Sequence, residues 1–211
     1  MRTPAESVVR YYVICNRLKN TIRTGWVDWQ VKRERIESVA EHIYSTQMLA
    51  IAMASEYGYQ LDLPKVLFML AVHELGETVI GDLTPFQIDP SEKEKREHEA
   101  VHEILAGLLG GEEIEKLFLE FDAHETAEAC FAYQCDKLEC DLQCRLYDEE
   151  GCVDLKEVNC EALNDPKVSL LLASDKSWSE MWLEYSRESY PYDHNFREVS
   201  DYAMKNRLQS Y

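Results

Sequence analysis

The sequence is short of cations: 22 lysines and arginines stand against 40 aspartates and glutamates, a formal net charge of −18. Such a chain repels nucleic-acid polymers and anionic membranes. It does not exclude a small phosphorylated substrate, because a bound metal and a local basic cluster override the global field at short range. The dense basic stretch, Lys32-Arg33-Glu34-Arg35, is brief and interrupted by an acid, and it reads as a solvated loop. No apolar run approaches the ~20 residues of a membrane-spanning helix. The stretch Met1 to Glu6 lacks the apolar core of a signal peptide, and the expectation is a cytosolic protein. No paired Cys-x-x-Cys is present, which argues against a cysteine-held zinc. The seven cysteines, an odd number without a secreted spacing framework, read as small buried thiols. Cys140 and Cys144 share a helix face. No alternating pattern of useful length marks a strand, and no internal repeat is visible.

What is present is helical periodicity. At 45% hydrophobic residues over 211 positions, the chain is long enough for one sizeable core. Residues 5 to 22 read as a first helix, followed by a loop over Arg23-Thr24-Gly25-Trp26-Val27. Ser38 and Glu41 form a capping box, so a helix starts at Val39. It runs to about Tyr57, where Gly58 stops it, and His42 lies in its first turn. Leu63-Pro64 opens an apolar helix that delivers His73-Glu74 at its end. Gly76 to Pro85 is a punctuated loop carrying Glu77 and Asp82. Ser91 and Glu94 read as a second capping box, for a helix ended by Gly110-Gly111. His98 and His102, i,i+4 on it, sit among charges and read as solvated. A short helix over Glu113–Glu120 precedes a long one from about Glu125 to Tyr147. The latter carries Asp136 in an apolar setting, with Glu139 and Asp141 read as solvated. Residues 148 to 165 are acidic and irregular. Asn164-Asp165-Pro166 caps a helix to Ala173. Trp178 to Tyr190 and Phe196 to Leu208 are two further helices, whose aromatic residues either cover the core or form an interface. The expected architecture is all-α.

An adjacent imidazole and carboxylate at the end of a buried helix are first-row metal ligands. A charged pair there requires a partner, which a metal supplies; the alternative is a salt-bridged structural pair. His42 upstream and Asp136 downstream complete a candidate set around one divalent ion. Two imidazoles and two carboxylates suit Mn²⁺, Co²⁺, Fe²⁺, Ni²⁺ or Zn²⁺ better than Ca²⁺.

The order His42, then His73-Glu74, then the distant Asp136 resembles the HD-domain metal-dependent phosphohydrolases. Finer details resemble their 5′-deoxynucleotidase branch: Arg23-Thr24-Gly25-Trp26, Glu37 through His42, Glu77 followed by Gly81-Asp82 and Pro85, and Asp136-Lys137-Leu138-Glu139. One residue departs from the pattern, Glu74 standing where the family has aspartate. The resemblance implies a single HD-type domain over 1–211, an α-helical bundle with its core at about 8–147 and a C-terminal helical extension at 148–211. It implies hydrolysis of nucleoside 5′-monophosphates to nucleoside and phosphate. His42, His73, Glu74 and Asp136 would hold the metal, which activates water and polarises phosphorus. Glu77, then Asp82, are the candidate proton-transfer groups. Arg23 would pair with the phosphate, and Trp26, Asp82 and Pro85 would flank the sugar. The partners implied are a small nucleotide and a second copy of the chain, as a homodimer. The alternatives are hydrolysis of a cyclic dinucleotide or ppGpp-type nucleotide, and a catalytically lapsed nucleotide-sensing module. Two-metal versions of the fold need further ligands, for which His98, His102 and His124 lie in the right interval.

Overall fold

A computed structural model describes residues 3–174 and 176–210. The described residues form helices and connecting turns, with one isolated antiparallel bridge, Ile22 to Ser38; the chain is all-α. In order the helices are α1 (Pro4–Cys15), α2 (Thr24–Asp28), α3 (Val39–Tyr57), α4 (Leu63–Val72), α5 (Glu77–Ile80), α6 (Pro90–Leu105), α7 (Gly111–Ala123), α8 (Ala127–Glu149), α9 (Pro166–Leu172), α10 (Trp178–Ser189) and α11 (His194–Lys205). A 3₁₀ turn, Asn16–Lys19, follows α1, so the single helix expected over residues 5–22 is shorter. No helix among the described residues is long and apolar enough to cross a membrane.

Caps set most of the boundaries. The Ser38–Glu41 box forms as expected: Ser38 Oγ accepts from the Glu41 amide, and Glu41 Oε2 accepts from the Ser38 amide at 2.9 Å. Gly58 takes the left-handed conformation (φ 64°) that ends α3. The expected box at Ser91 is corrected. Asp89 is the cap, accepting from the Ser91 and Glu92 amides, with Pro90 in the first turn. Gly110-Gly111 does not terminate α6 either: α6 ends at Leu105, and Gly111 begins α7. A Cβ on Gly111 would stand 2.2 Å from the Leu105 carbonyl oxygen, so glycine there permits close approach of backbone. The expected loops over 23–27 and 76–85 contain the short helices α2 and α5.

The described chain divides into two compact units. The first comprises the described residues up to Thr24 together with 37–133; the second comprises 25–36 and the described residues from 134 onward. The first is built on α4, which packs against α3 and α7. Val72, Leu75, Val101, Ile104, Leu105 and Phe118 form a buried cluster there. Within α4 Val66, Met69 and Leu70 are buried, while Phe68 stays exposed. On α6, His102 is exposed as expected, while His98 is half-buried, and each faces a carboxylate. His98 Nε2 lies 2.6 Å from Asp122 Oδ2, and His102 Nδ1 lies 3.0 Å from Glu115 Oε1, both carboxylates on α7.

The second unit has an aromatic core. Trp26 is packed edge-on against Tyr147 and Trp178, with Trp182 at 5.2 Å between ring centroids. Trp178 and Tyr192 are buried, so much of the C-terminal aromatic set covers the core. Cys144 and Cys152 lie in or beside this cluster, and all seven cysteines are free thiols. The solvated reading of Glu139 and Asp141 is corrected, since both are buried. Asp141 accepts from Ser186 Oγ at 2.6 Å and Tyr192 OH at 2.9 Å. Burial pushes its carboxyl up to about 8 against the pull of these donors.

Candidate metal centre

The first turn of α3 fixes His42. The capping box holds the turn, the His42 amide donates to the Ser38 carbonyl at 3.1 Å, and the imidazole is fully buried. His73 caps the C-terminus of α4, so the apolar faces that bury α4 also aim its last residues inward. Its Nδ1 lies 2.8 Å from the Leu70 carbonyl oxygen. A carbonyl only accepts, so Nδ1 is the donor, which leaves Nε2 as the ring atom available to a metal. Glu74 Oε1 lies 3.6 Å from His73 Nε2 and 3.8 Å from His42 Nε2. Two buried imidazoles and a carboxylate thus converge, with ligand atoms all within 4.8 Å of one another. This donor set fits a divalent transition metal. The fourth expected ligand, Asp136, is buried on α8, the helix that starts in the first unit and runs on into the second. Lys137 Nζ lies 2.8 Å from its Oδ2.

A ring of charge surrounds the three first-unit ligands. Arg23 donates to Glu74 Oε1 at 3.2 Å and lies 4.0 Å from Asp82. Asp82 also accepts the Thr24 amide at 2.6 Å, while Thr24 Oγ1 donates to its carbonyl, also at 2.6 Å. Glu77, at the start of α5, is 2% exposed. Its Oε1 lies 3.4 Å from Lys93 Nζ, and its Oε2 has no hydrogen-bond partner among the described residues. Burial, then the neighbouring Glu74 and Asp82, raise the Glu77 carboxyl well above the usual carboxylate range. Lys93 also approaches Glu97, whose carboxyl burial pushes up to about 7. Four carboxylates, Glu74, Glu77, Asp82 and Glu97, therefore face two cations, Arg23 and Lys93. Such an anionic surplus, with an orphaned buried oxygen, is what a bound cation would relieve.

The sequence reading omitted Lys93 and Glu97. The signal was there: stepping back by four from the buried Val101 passes through Glu97 and Lys93, on the inward stripe of α6. Trp26 is 2% exposed within its aromatic cluster, which accounts for its burial without a ligand. Pro85 is exposed in a turn. Glu94, His98 and Asp122 form a second, more exposed grouping, already held together by the His98–Asp122 pair. His124 caps α7 in the left-handed conformation, and its ring lies tilted against Tyr133 at 3.9 Å between centroids.

The HD-domain family model matches residues 15–178. The 5′-deoxynucleotidase HDDC2 of Dictyostelium discoideum is 36% identical over 153 residues, covering 69% of this chain and 80% of that protein. The 5′-deoxynucleotidase hdd1 of Schizosaccharomyces pombe is 34% identical over 140 residues, 63% of this chain and 68% of that protein. A conserved hypothetical protein from Pyrococcus furiosus has the same fold, with a TM-score of 0.69 at 24% identity over 94% of this chain and 99% of that one. A donor set suited to a divalent metal, a family match across most of the length and relatives of this closeness lead to one assignment: the chain belongs to the HD-domain family, as a phosphohydrolase of its 5′-deoxynucleotidase-like group.

Proposed function

We infer that this protein hydrolyses deoxyribonucleoside 5′-monophosphates to nucleoside and inorganic phosphate, at one divalent metal held by His42, His73, Glu74 and Asp136. The observation that carries the reading is the convergence of His42, His73 and Glu74 beside a buried Glu77 with an orphaned oxygen. The metal would supply Lewis acidity to the phosphoryl group and acidify water. The chain's own residues do the rest. Glu77, whose surroundings favour its protonated form, is the group that exchanges a proton with the attacking water or the leaving 5′-oxygen. Asp82, fixed by Thr24, orients the sugar side or the same water. Arg23 offers a planar fork suited to phosphate oxygens. Trp26 serves at one remove, as the hydrophobic anchor of α2. The reading extends to a cytosolic homodimer. Tyr44, Met48 and Ile51 on α3 and Phe68 on α4 leave apolar surface exposed in the first unit, and light scattering measures the state directly.

The test is phosphate release from a panel of ribo- and deoxyribonucleotides by protein stripped and reloaded with Mn²⁺, Co²⁺, Mg²⁺ or Zn²⁺. Deoxy forms should turn over in preference to ribo forms. Asp136→Ala and His73→Ala should abolish release while keeping the helical circular dichroism. Full activity in folded Asp136→Ala protein would overturn the reading. The Arg23–Glu74 ion pair favours a second one, in which the His-Glu variant of the motif binds nucleotide without hydrolysing it. Tight nucleotide binding with no turnover under every metal would select that alternative.

A further inference from the structure

Away from the metal centre, the first unit has an open cavity of about 470 Å³ lined by Arg10, Val13, Ile14, Arg17, Val79, Glu103 and Ile104. Its volume is in the range that takes a small organic molecule. Arg10 lies on α1 and Arg17 on the 3₁₀ turn that follows. Arg10 donates to the Ile104 carbonyl and Arg17 to the Thr78 carbonyl, each across a long 3.5 Å. Neither guanidinium has a carboxylate partner among the described residues. By contrast Arg23, Arg33, Arg96, Arg145 and Arg187 each face one. In a chain with 40 acids, two arginines lining one cavity without an ion pair are a concentration of unspent positive charge. Aliphatic side chains from α1, α5 and α6 wall the space between them.

We propose that this cavity is a binding site, separate from the metal centre, for a small organic phosphate of nucleotide size. The phosphate sits on Arg10 and Arg17, and the apolar body lies against Val13, Ile14, Val79 and Ile104. The guanidinium fork matches phosphate oxygens in pairs. The long carbonyl contacts are cheap to exchange for charge-assisted ones. Glu103 disfavours a bare anion but accepts from a hydroxyl or amino group on the ligand body. The charges therefore select an anion that also carries a donor, rather than a fatty acid or inorganic phosphate. Because Arg17 donates to the carbonyl of Thr78, the residue after Glu77, a ligand that draws Arg17 away changes a contact to the backbone that carries a residue of the proposed active site. The site itself does not depend on catalysis.

The probe is the phosphonate analogue of deoxyadenosine monophosphate, with a methylene in place of the 5′-bridging oxygen so that phosphate cannot be released. It is titrated calorimetrically into the full-length, metal-loaded chain. Besides binding at the metal centre, which Arg23→Ala weakens, we expect a second event that survives Arg23→Ala and is weakened about 10–100-fold by Arg10→Ala or Arg17→Ala. Val13→Glu is the second variant. Val13 is 54% exposed on α1, so the fold tolerates the change, and the new carboxylate occupies both arginines from i−3 and i+4. It should weaken the same event to a similar degree. Binding that responds only to Arg23→Ala, or binding unchanged in all three cavity variants, would overturn the proposal. Inorganic phosphate binding as tightly as the analogue would overturn the role of the apolar walls. Loss of turnover in the wild-type chain, with the Arg10-dependent event intact, would count against the proposed hydrolysis and leave this site standing.

Discussion

Glu74 Oε1 is shared by two imidazoles and a guanidinium, all within 4 Å. Glu74→Gln keeps the shape and removes the charge. Metal retained after dialysis should fall by at least the ~10–100-fold that follows loss of an outer partner, read by elemental analysis. Retention equal to wild type would mean that Glu74 serves Arg23 rather than the metal. Asp141 gives a pH prediction. Its folded carboxyl is raised to about 8, above the ~3.9 of an unfolded aspartate. Below about pH 4 both states hold the proton. Between about 4 and 8 the unfolded chain releases it while the folded chain keeps it, so this group's contribution to stability declines as pH rises, by at most about 1.4 kcal/mol per unit. Asp141→Asn should flatten that decline in urea unfolding between pH 5 and 8; parallel curves for the two proteins would refute the account. The two residues also differ in legibility. Glu74 was readable because its neighbour His73 ends an apolar helix, a local conflict that only a partner resolves. Asp141 was not, because Ser186 and Tyr192 lie 45 and 51 residues away along the chain.

Among the elements, α3 couples stability to chemistry. Its cap and its ligand, Ser38 and His42, belong to the same turn. Ser38→Ala should cost about 1 kcal/mol in denaturant unfolding. It should also loosen metal binding, because the first turn frays where His42 stands. A stability loss with unchanged metal affinity would separate the two roles. Helix starts were legible at Ser38 and Asp165, where a polar cap precedes an apolar stripe. The end of α6 was misread because glycine has two uses. At Gly58 it supplies a left-handed backbone, and at Gly111 it supplies absence of bulk beneath the Leu105 carbonyl. Only the fold distinguishes them. The short α2 escaped notice because five residues carry no readable period; burial of Trp26 accompanies it instead.

For the whole molecule, a net charge of −18 opposes the approach of a dianionic nucleotide. Raising ionic strength from about 0.02 to 0.2 M shortens the screening length severalfold. The expected result is a rise in kcat/KM with kcat little changed, because encounter is relieved while the buried site is not screened. A fall in kcat/KM with salt would show that local cations such as Arg23 govern capture. The all-α class was legible from helical periodicity and the lack of alternation. The division within α8, after Tyr133, was not, because the helix is continuous across it.

That division has a consequence in time. Residues 25–36, with Trp26 and Trp29, belong to a unit whose remaining members begin at Gln134. On a ribosome adding roughly 5–20 residues per second, those tryptophans emerge about 6–30 seconds before Tyr147, Trp178 and Trp182 exist to enclose them. The sequence between must fold around a gap in its own text, with a sticky aromatic strap left outside. In that interval the segment from Gly25 to Ile36 is where a chaperone that binds exposed aromatic side chains would act.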